Sequence, residues 1–155
     1  MRQTLTSSLK EAMKAKEQKK VSTIRLILAA LKDRDIAARA EGGETDAGIS
    51  DADILQLLQK MVKQRQDSIQ AYTQADRQDL ADQEANEIEI IQAFLPKSLS
   101  DEEVQTAIDT SIETVEATSI KDMGKVMAQL RERFPGQIDF GKASGLIKQA
   151  LNAKS

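Results

Sequence analysis

The residues that could carry out chemistry in this chain are carboxylates, lysines, arginines, hydroxyls and one tyrosine, because its 155 residues include no cysteine and no histidine. These absences exclude a thiol nucleophile, a Ser–His–Asp triad, an iron–sulfur cluster and a histidine-ligated metal. The remaining candidates Ser7-Ser8, Lys19-Lys20 and Tyr72 have no base or partner at diagnostic spacing. We therefore assign no catalytic residue, no metal ligand and no cofactor.

One glycine-rich segment, residues 136–143, comes close to the P-loop pattern G-x-x-x-x-G-K-[ST]. Ala143 stands where a hydroxyl should hold magnesium, and Asp139 would place a negative charge where the phosphate should lie. The segment also follows a helix and a proline rather than a buried strand. It therefore favours a connection between two helices, in which Asp139 caps the second.

A group of carboxylates in residues 76–87 could suggest a metal site: Asp76, Asp79, Asp82, Glu84 and Glu87. Carboxylate di-metal sites in helical bundles normally add a Glu-x-x-His motif. Because the chain has no histidine, a solvated acidic face is the favoured interpretation.

Two arginines fall within apolar helical faces. Arg25 lies inside the apolar run from Ile24 to Leu31, and Arg65 continues the stripe that contains Leu58 and Met61. A charge in such a position is normally paired, because burying an unpaired ion is costly. The alternative is a ligand-anchoring site between helices. The candidate carboxylate partners are on the fourth predicted helix: Glu84, Glu87 and Glu89.

Charge is distributed unevenly along the chain, although the net charge is only −3. The balance is +6 for residues 1–39, −8 for 40–95, −5 for 96–120 and +4 for 121–155. A basic segment can mark a face that binds polyanions, whereas the alternative is that these charges solvate helix faces and meet one another. The candidate RNA-binding cations lie in the last segment: Lys121, Lys125, Arg131, Arg133, Lys142 and Lys148.

Gly124 lies within this basic segment and within a predicted helix, where glycine costs roughly 1 kcal/mol relative to alanine. Two explanations would justify that cost. One is close packing of Gly124 against the fifth or seventh helix, and the other is direct contact with RNA.

The elements that must position these residues are helices. Aromatic residues make up 3% of the chain, which has two prolines and seven glycines, and this composition argues against a sandwich or barrel. Apolar residues recur at helical spacing in seven segments. The predicted helices cover about residues 2–17, 20–40, 51–73, 76–94, 101–117, 121–134 and 140–152.

Local signals set the boundaries of several helices. Ser50 and Ser100 are predicted N-caps, with an acidic residue three positions later. The glycine-rich loop 41–49 ends the second helix. Pro96 disfavours helical geometry at the preceding residue. The sequence therefore predicts an all-α fold, with a four-helix N-terminal bundle over 1–95 and a three-helix C-terminal domain over 96–155.

Four stretches identify a resemblance to a known family: residues 22–25, 63–69, 95–103, and 121–127 with Gly136. In these stretches the chain resembles the YqeY family, small bacterial proteins of about this length, over residues 2–152. Residues from about 97 onward are also similar to the C-terminal tail domain of GatB, one of the proteins that make up the glutamyl/aspartyl-tRNA amidotransferase. The pair Phe134-Pro135 departs from the more basic turn that we expect there.

The resemblance implies a tRNA-binding or tRNA-amidotransferase-like accessory module without its own active site. In the amidotransferase the tail helps to hold tRNA, while glutamine hydrolysis, phosphorylation and amide transfer occur in other domains. The implied partners are tRNA and an amidotransferase or another aminoacyl-tRNA-related protein. One alternative is a component of a glutamine-dependent carbon–nitrogen ligase acting on mischarged tRNA, and a second is a protein–protein adaptor that uses the acidic fourth helix.

Two further expectations concern location. No run of 18 apolar residues is present, so we expect no membrane-spanning segment. The first twenty residues lack the apolar segment and cleavage site of a secretory signal. A cytoplasmic protein is therefore expected.

Overall fold

The computed structural model describes residues 1–42 and 48–154. Within these ranges the chain is helical and contains no strand, so the predicted all-α fold is confirmed. None of the described helices is long and apolar enough to cross a membrane. The helices are α1 (Arg2–Lys14), α2 (Gln18–Ala40), α3 (Asp51–Gln74), α4 (Gln78–Gln92), α5 (Asp101–Thr114), α6 (Met123–Arg133) and α7 (Phe140–Lys154), with a 3₁₀ turn (Ile120–Asp122) before α6.

Contacts divide the chain into two compact units, Met1–Leu95 and Pro96–Ser155, called here the N-terminal and C-terminal units. In the N-terminal unit, α2 packs on α1, α3 and α4, and α3 packs along α4. Ile27 and Leu31 of α2 share a core with Ile91 near the end of α4. Since the early residues of α2 and α4 also line a common cleft, the two helices run in the same direction.

An ion pair fastens the start of α1 to α2. Arg2 donates to both carboxylate oxygens of Asp35, at 2.7 and 2.8 Å, and also to the carbonyl oxygen of Ile49 at 2.9 Å. The Ile49 amide donates back to Asp35 at 2.9 Å. Gly48 lies against this carboxylate with a φ of +80°, and a Cβ there would overlap the Asp35 side chain. The segment before α3 is thereby tied to both α1 and α2.

The core of the C-terminal unit is formed by α5, α6 and α7. Ile108 and Ile112 of α5 meet Val126 and Leu130 of α6 and Ile147 of α7, all essentially buried. The 3₁₀ turn packs against both α6 and α7. This arrangement leaves the charged faces of all three helices in solvent.

Side-chain caps begin three helices where the sequence predicts them. The hydroxyl of Ser50 accepts from the Asp53 amide at 3.2 Å, and Ser100 and Glu103 make both hydrogen bonds of a capping box. Asp139 accepts from the amides of Gly141 and Lys142 at 2.9 and 3.3 Å. These predicted caps are confirmed, and residues 136–143 form the turn into α7 rather than a phosphate loop that follows a strand.

The helices α1, α3 and α5 share one way of ending, and α1 and α5 end about three residues earlier than predicted. In each case the chain leaves the helix through a non-glycine residue with positive φ: Lys16 (58°), Asp76 (58°) and Glu116 (54°). Each of these amides bonds to the carbonyl three residues earlier, and the next amide bonds to the carbonyl five residues earlier. The pattern is a Schellman motif, usually formed by glycine.

Other boundaries differ by smaller amounts. The predicted sixth helix begins as the 3₁₀ turn and becomes α-helical only at Met123. The second helix stops at Ala40, and Gly42 follows with a φ of 88°. Gly43 and most of the predicted loop 41–49 lie outside the described residues.

Candidate functional site

All six predicted RNA-binding cations are exposed on the C-terminal unit. Lys121 lies on the 3₁₀ turn, Lys125, Arg131 and Arg133 lie on α6, and Lys142 and Lys148 lie on α7. In contrast, α5 has five carboxylates and no lysine or arginine. The cations of this unit are therefore concentrated on the 3₁₀ turn, α6 and α7, where Asp122 and Glu132 are the acidic residues, whereas α5 is acidic throughout.

The six cations do not form one continuous stripe. Lys125 and Arg131 are six residues apart on α6, which places them about 120° apart around the helix axis, and Lys142 and Lys148 are related in the same way on α7. Arg131 links the two helices, because its guanidinium lies 5.5 Å from the ring centroid of Phe140 at the start of α7.

Arg133 stands apart from the other cations. Its guanidinium lies 5.7 Å from the Phe134 ring centroid. It also lines a shallow depression of about 370 Å³ together with Glu102 and Glu103 of the acidic helix α5. The surroundings of Arg133 therefore include two carboxylates.

Lys125 has one nearby carboxylate, with its Nζ 3.9 Å from Oδ1 of Asp122. Amide donors of Thr118 and Ser119 lower the pKa of Asp122 first, and Lys125 adds to that effect. Asp122 is thus occupied chiefly in capping the 3₁₀ turn, which leaves most of the Lys125 ammonium in solvent.

Gly124 has no packing role. A Cβ built at this position meets nothing within 4 Å apart from its own helix. The prediction that Gly124 packs closely against the fifth or seventh helix is therefore wrong, because the residue lies on an exposed surface near the start of α6. Contact with RNA remains the other interpretation of this glycine.

Arg65 makes the ion pair that its position on the apolar stripe predicts. Its Nε donates to Oε2 of Glu87 at 2.8 Å, and Oε2 of Glu84 lies 4.0 Å from the same nitrogen. The three side chains are only 15%, 19% and 23% exposed. Burial and then the neighbouring Glu87 raise the pKa of Glu84, which Arg65 partly offsets. The arrangement joins α3 to α4 in the N-terminal unit.

Arg25 does not share this role. Its side chain is exposed and makes no ion pair among the described residues. The expected pairing of Arg25 with the carboxylates of α4 is therefore wrong. The cause is that α2 has apolar residues around its circumference, with Leu26 and Ile36 about half exposed, so that an apolar run did not indicate a buried face.

The carboxylates of residues 76–87 are dispersed. Asp79 accepts two hydrogen bonds from Arg77, at 3.2 and 3.1 Å, and Asp82 accepts one from Gln78 at 2.8 Å. Arg77 lowers the pKa of Asp79. Over the described ranges no group of three or more carboxylates is arranged to hold a metal ion.

A cleft between α2 and α4, of about 520 Å³, was not foreseen from the sequence. Its walls expose polar and apolar surface about equally, and they come from residues about 60 positions apart, which no local pattern connects. A smaller depression of about 420 Å³ adjoins it and shares Gln18 and Ser22. The cleft is lined by Gln18, Lys19, Ser22, Thr23, Asp79, Asp82, Gln83, Asn86 and Glu87.

Two of the stretches that carry the family resemblance converge on this region. Ser22 and Thr23, from the stretch 22–25, line the cleft directly. Arg65, from the stretch 63–69, holds Glu87, which lines the opposite wall.

Comparison with known proteins identifies the family. The profile described as "Yqey-like protein" matches residues 2–151. This chain belongs to the YqeY family. The yeast relatives include the protein named "Altered inheritance of mitochondria protein 41, mitochondrial" from Clavispora lusitaniae, which is 32% identical over 152 residues, covering 96% of this chain and 83% of that protein.

Proteins of the same name from two other yeasts give similar values. The Eremothecium gossypii protein is 31% identical over 96% of this chain and 79% of its own length. The Candida glabrata protein is 33% identical over 88% of this chain and 70% of its own length. Because these relatives are named mitochondrial proteins, the prediction of a cytoplasmic location is wrong.

Proposed function

We propose that this YqeY-family protein is an accessory module, without an active site of its own, that binds tRNA through the basic surface of its C-terminal unit. The observation that carries the proposal is the uneven distribution of charge in that unit, where exposed cations predominate on the 3₁₀ turn, α6 and α7 and the charged residues of α5 are all carboxylates. Such a distribution of charge attracts a polyanion to the 3₁₀ turn, α6 and α7 and repels it from α5.

The chemistry of these cations fits a phosphate backbone. Lysine and arginine contacts to phosphate are independent of sequence and position the nucleic acid rather than reading its bases. Arg131 rests on the Phe140 ring, which orders the guanidinium and leaves its N–H groups available to phosphate oxygens. Because the cations are spread around α6 and α7, the RNA would contact both helices and the 3₁₀ turn before α6.

Gly124 adds a second element to this surface. It is exposed near Lys121 and Lys125, and nothing fills the space where its side chain would be. An RNA backbone could approach the helix more closely there than at any residue with a Cβ.

The test is a salt titration of tRNA binding with charge-reversal variants. Lys125→Glu combined with Lys142→Glu should weaken binding of total tRNA, across many sequences, and reduce the slope of log affinity against log salt by about two. The matched control is Lys60→Glu with Lys63→Glu, which makes the same charge change on the exposed surface of α3 in the N-terminal unit.

Equal losses in the two double variants would show that only net charge matters, and the assignment of the C-terminal surface would fail. An unchanged affinity and slope in Lys125→Glu/Lys142→Glu, with the helical content intact, would likewise contradict the assignment of the C-terminal surface.

The accessory role is tested separately. Purified protein given ATP, glutamine and mischarged Glu-tRNA should yield no amidated product, and turnover that tracks the purified protein would contradict it.

A further inference from the structure

We propose that the outer face of α2, together with the end of α1, binds the surface of an anionic lipid membrane. This outer face is defined by five exposed residues of α2: Arg25, Leu26, Ala29, Lys32 and Ile36. It belongs to the N-terminal unit, whereas the proposed tRNA surface belongs to the C-terminal unit. The inference therefore goes beyond the proposed function and does not depend on it.

Large exposed apolar side chains are concentrated on α1 and α2. Among the described residues, four such side chains are between 42% and 53% exposed, and three of them belong to these two helices: Met13, Leu26 and Ile36. The core side of α2 already packs on α1, α3 and α4, so its outer face is an additional apolar surface. Apolar side chains that are grouped and bordered by polar residues mark an interaction site, whereas single ones do not.

Cations share the outer face of α2 with these apolar side chains. Arg25, Ala29, Lys32 and Ile36 follow one another at intervals of three or four residues, which places them in one row along the helix. Arg25 and Lys32 are exposed and make no ion pair among the described residues. Asp33 adds one carboxylate beside the row, so the face keeps a net positive charge.

A depression of about 420 Å³ joins the end of α1 to this face. Met13 and Lys16 line it beside α1, and Val21 and Arg25 line it from α2, with no carboxylate among its described lining residues. Lys14 is exposed next to Met13. Apolar side chains among cations with long flexible stems suit the boundary between headgroups and acyl chains, where the apolar groups enter and the cations reach phosphate.

The arrangement of the charges favours a lipid surface over other partners. The cations lie on two helices and at the turn between them, so a rigid protein would need carboxylates at matching irregular positions. Anionic lipids diffuse laterally and meet each cation where it lies. A symmetric contact with a second copy would bring this positive face against itself. RNA would meet the cations but would leave Met13, Leu26 and Ile36 without an apolar partner.

The test is sedimentation of the full chain with lipid vesicles at about 0.1 M salt, where charges act over about 10 Å. Vesicles of equimolar phosphatidylcholine and phosphatidylglycerol should bind the protein, and vesicles of phosphatidylcholine alone should not. Arg25→Gln combined with Lys32→Gln should weaken binding about 25-fold, because each cation at an anionic surface contributes about fivefold. The matched control, Lys60→Gln with Lys63→Gln, makes the same charge change at exposed positions of α3.

A second pair of variants tests the apolar contribution. Ile36→Ser should weaken binding to the anionic vesicles severalfold, because it removes a side chain that enters the apolar layer. Ile120→Ser makes the same change at an exposed position of the C-terminal unit and should leave vesicle binding unchanged. Both isoleucines are about half exposed, so both variants should keep the fold.

Three results would overturn the proposal: no binding to the anionic vesicles, equal weakening by the two double variants, or no effect of Ile36→Ser. If anionic vesicles do not bind and Arg25→Gln/Lys32→Gln weakens tRNA binding instead, the face belongs to RNA. If they do not bind and the chain forms a dimer that Ile36→Ser dissociates, the face belongs to a second copy. The Lys125→Glu/Lys142→Glu variant should bind the vesicles normally, which separates this surface from the proposed tRNA surface.

Discussion

The Nε of Arg65 lies 2.8 Å from Oε2 of Glu87 but 4.0 Å from Oε2 of Glu84. The single cation therefore pairs more closely with one of the two half-buried carboxylates than with the other. Glu87 receives the hydrogen bond. Glu84 is close enough to lose hydration and to be repelled by Glu87, and both effects raise its pKa above its ordinary value of 4.5. The two carboxylates should therefore make opposite contributions to stability at neutral pH.

The first prediction compares Glu87→Gln with Glu84→Gln. Glu87→Gln weakens the hydrogen bond to Arg65 and should lower the free energy of unfolding by about 1–2 kcal/mol at pH 7. Glu84→Gln removes a poorly compensated charge and should leave the free energy of unfolding unchanged or raise it by up to about 1 kcal/mol. Urea unfolding followed by the fluorescence of Tyr72, the single tyrosine in a chain without tryptophan, reports on the N-terminal unit.

The pH dependence of Glu84→Gln provides the control. A carboxyl group whose pKa is raised on folding contributes stability that is fully present below its unfolded pKa and is lost as pH rises through the folded pKa. The advantage of Glu84→Gln should therefore be present at pH 7 and disappear near pH 4. Equal losses from both substitutions at pH 7 would mean that Arg65 is shared evenly between the two carboxylates.

The second prediction is that Arg65→Met destabilises the N-terminal unit more than Glu87→Gln does. Without Arg65, two neighbouring carboxylates lose the one cation that pairs with them among the described residues. We expect a loss of about 2–3 kcal/mol at pH 7, less than for a fully buried pair. Tyr72 fluorescence measures the transition of this unit. A midpoint equal to that of the unsubstituted chain would show that the pair contributes nothing to stability and would favour a ligand-anchoring role for Arg65.

The sequence was sufficient to predict features that depend on local chemistry. Ser100 and Glu103 form their capping box, because both partners lie within one turn of the chain. The pairing of Arg65 was also predictable, since the stripe of Leu58 and Met61 fixes the face of α3 on which it lies. For Arg25 the same reasoning failed, because α2 is apolar around its circumference.

Other features depend on tertiary structure that no local pattern records. The ends of α1 and α5 have no glycine signal, since Lys16 and Glu116 adopt positive φ. The cleft between α2 and α4 joins residues that are far apart in the chain. The contact of Arg2 with Asp35 spans 33 residues and has no motif at either end.

The third prediction concerns the ion pair of Arg2 and Asp35. The hydrogen bonds from Arg2 lower the pKa of Asp35 from 3.8 to about 2. A carboxyl group with a lowered pKa contributes stability that is present above its unfolded pKa and is lost as pH falls through the folded pKa, so this contribution should disappear between about pH 4 and pH 2. Because Arg2 is 36% exposed, screening limits the contribution to about 1 kcal/mol.

Asp35→Asn should therefore reduce stability at pH 7 and make the N-terminal unit less sensitive to acid between pH 4 and pH 2. Asp33→Asn is the matched control, because Asp33 is exposed on the same helix and makes no ion pair among the described residues. Parallel pH profiles for the two variants, measured by Tyr72 fluorescence, would show that the Arg2–Asp35 pair does not affect acid stability.

The fourth prediction concerns the positive-φ residue at the end of α1. Lys16 has a φ of 58°. This conformation destabilises a residue that has a Cβ by roughly 1–2 kcal/mol, and glycine, which has no Cβ, avoids part of that cost. Lys16→Gly should therefore raise the free energy of unfolding of the N-terminal unit by about 1 kcal/mol. Asp76→Gly should give a smaller gain, because aspartate tolerates this conformation better. Lys14→Gly, which lies within α1, should instead lower it by about 1 kcal/mol. A loss from Lys16→Gly comparable to that from Lys14→Gly would show that the helix does not end in this motif.

The last prediction concerns Ser111 in the core of the C-terminal unit. Ser111 is completely buried on α5, and its Oγ makes no hydrogen bond within the described part of the chain. An unsatisfied buried hydroxyl costs about 1–3 kcal/mol, and alanine also has the higher helix propensity. Ser111→Ala should therefore raise the free energy of unfolding of this unit by about 1 kcal/mol.

The measurement is amide hydrogen exchange of α5 and α7, which reports on the C-terminal unit alone. Thr110→Ala, on the exposed face of α5, is the control. Faster exchange in Ser111→Ala than in the unsubstituted chain would show that the hydroxyl has a stabilising partner.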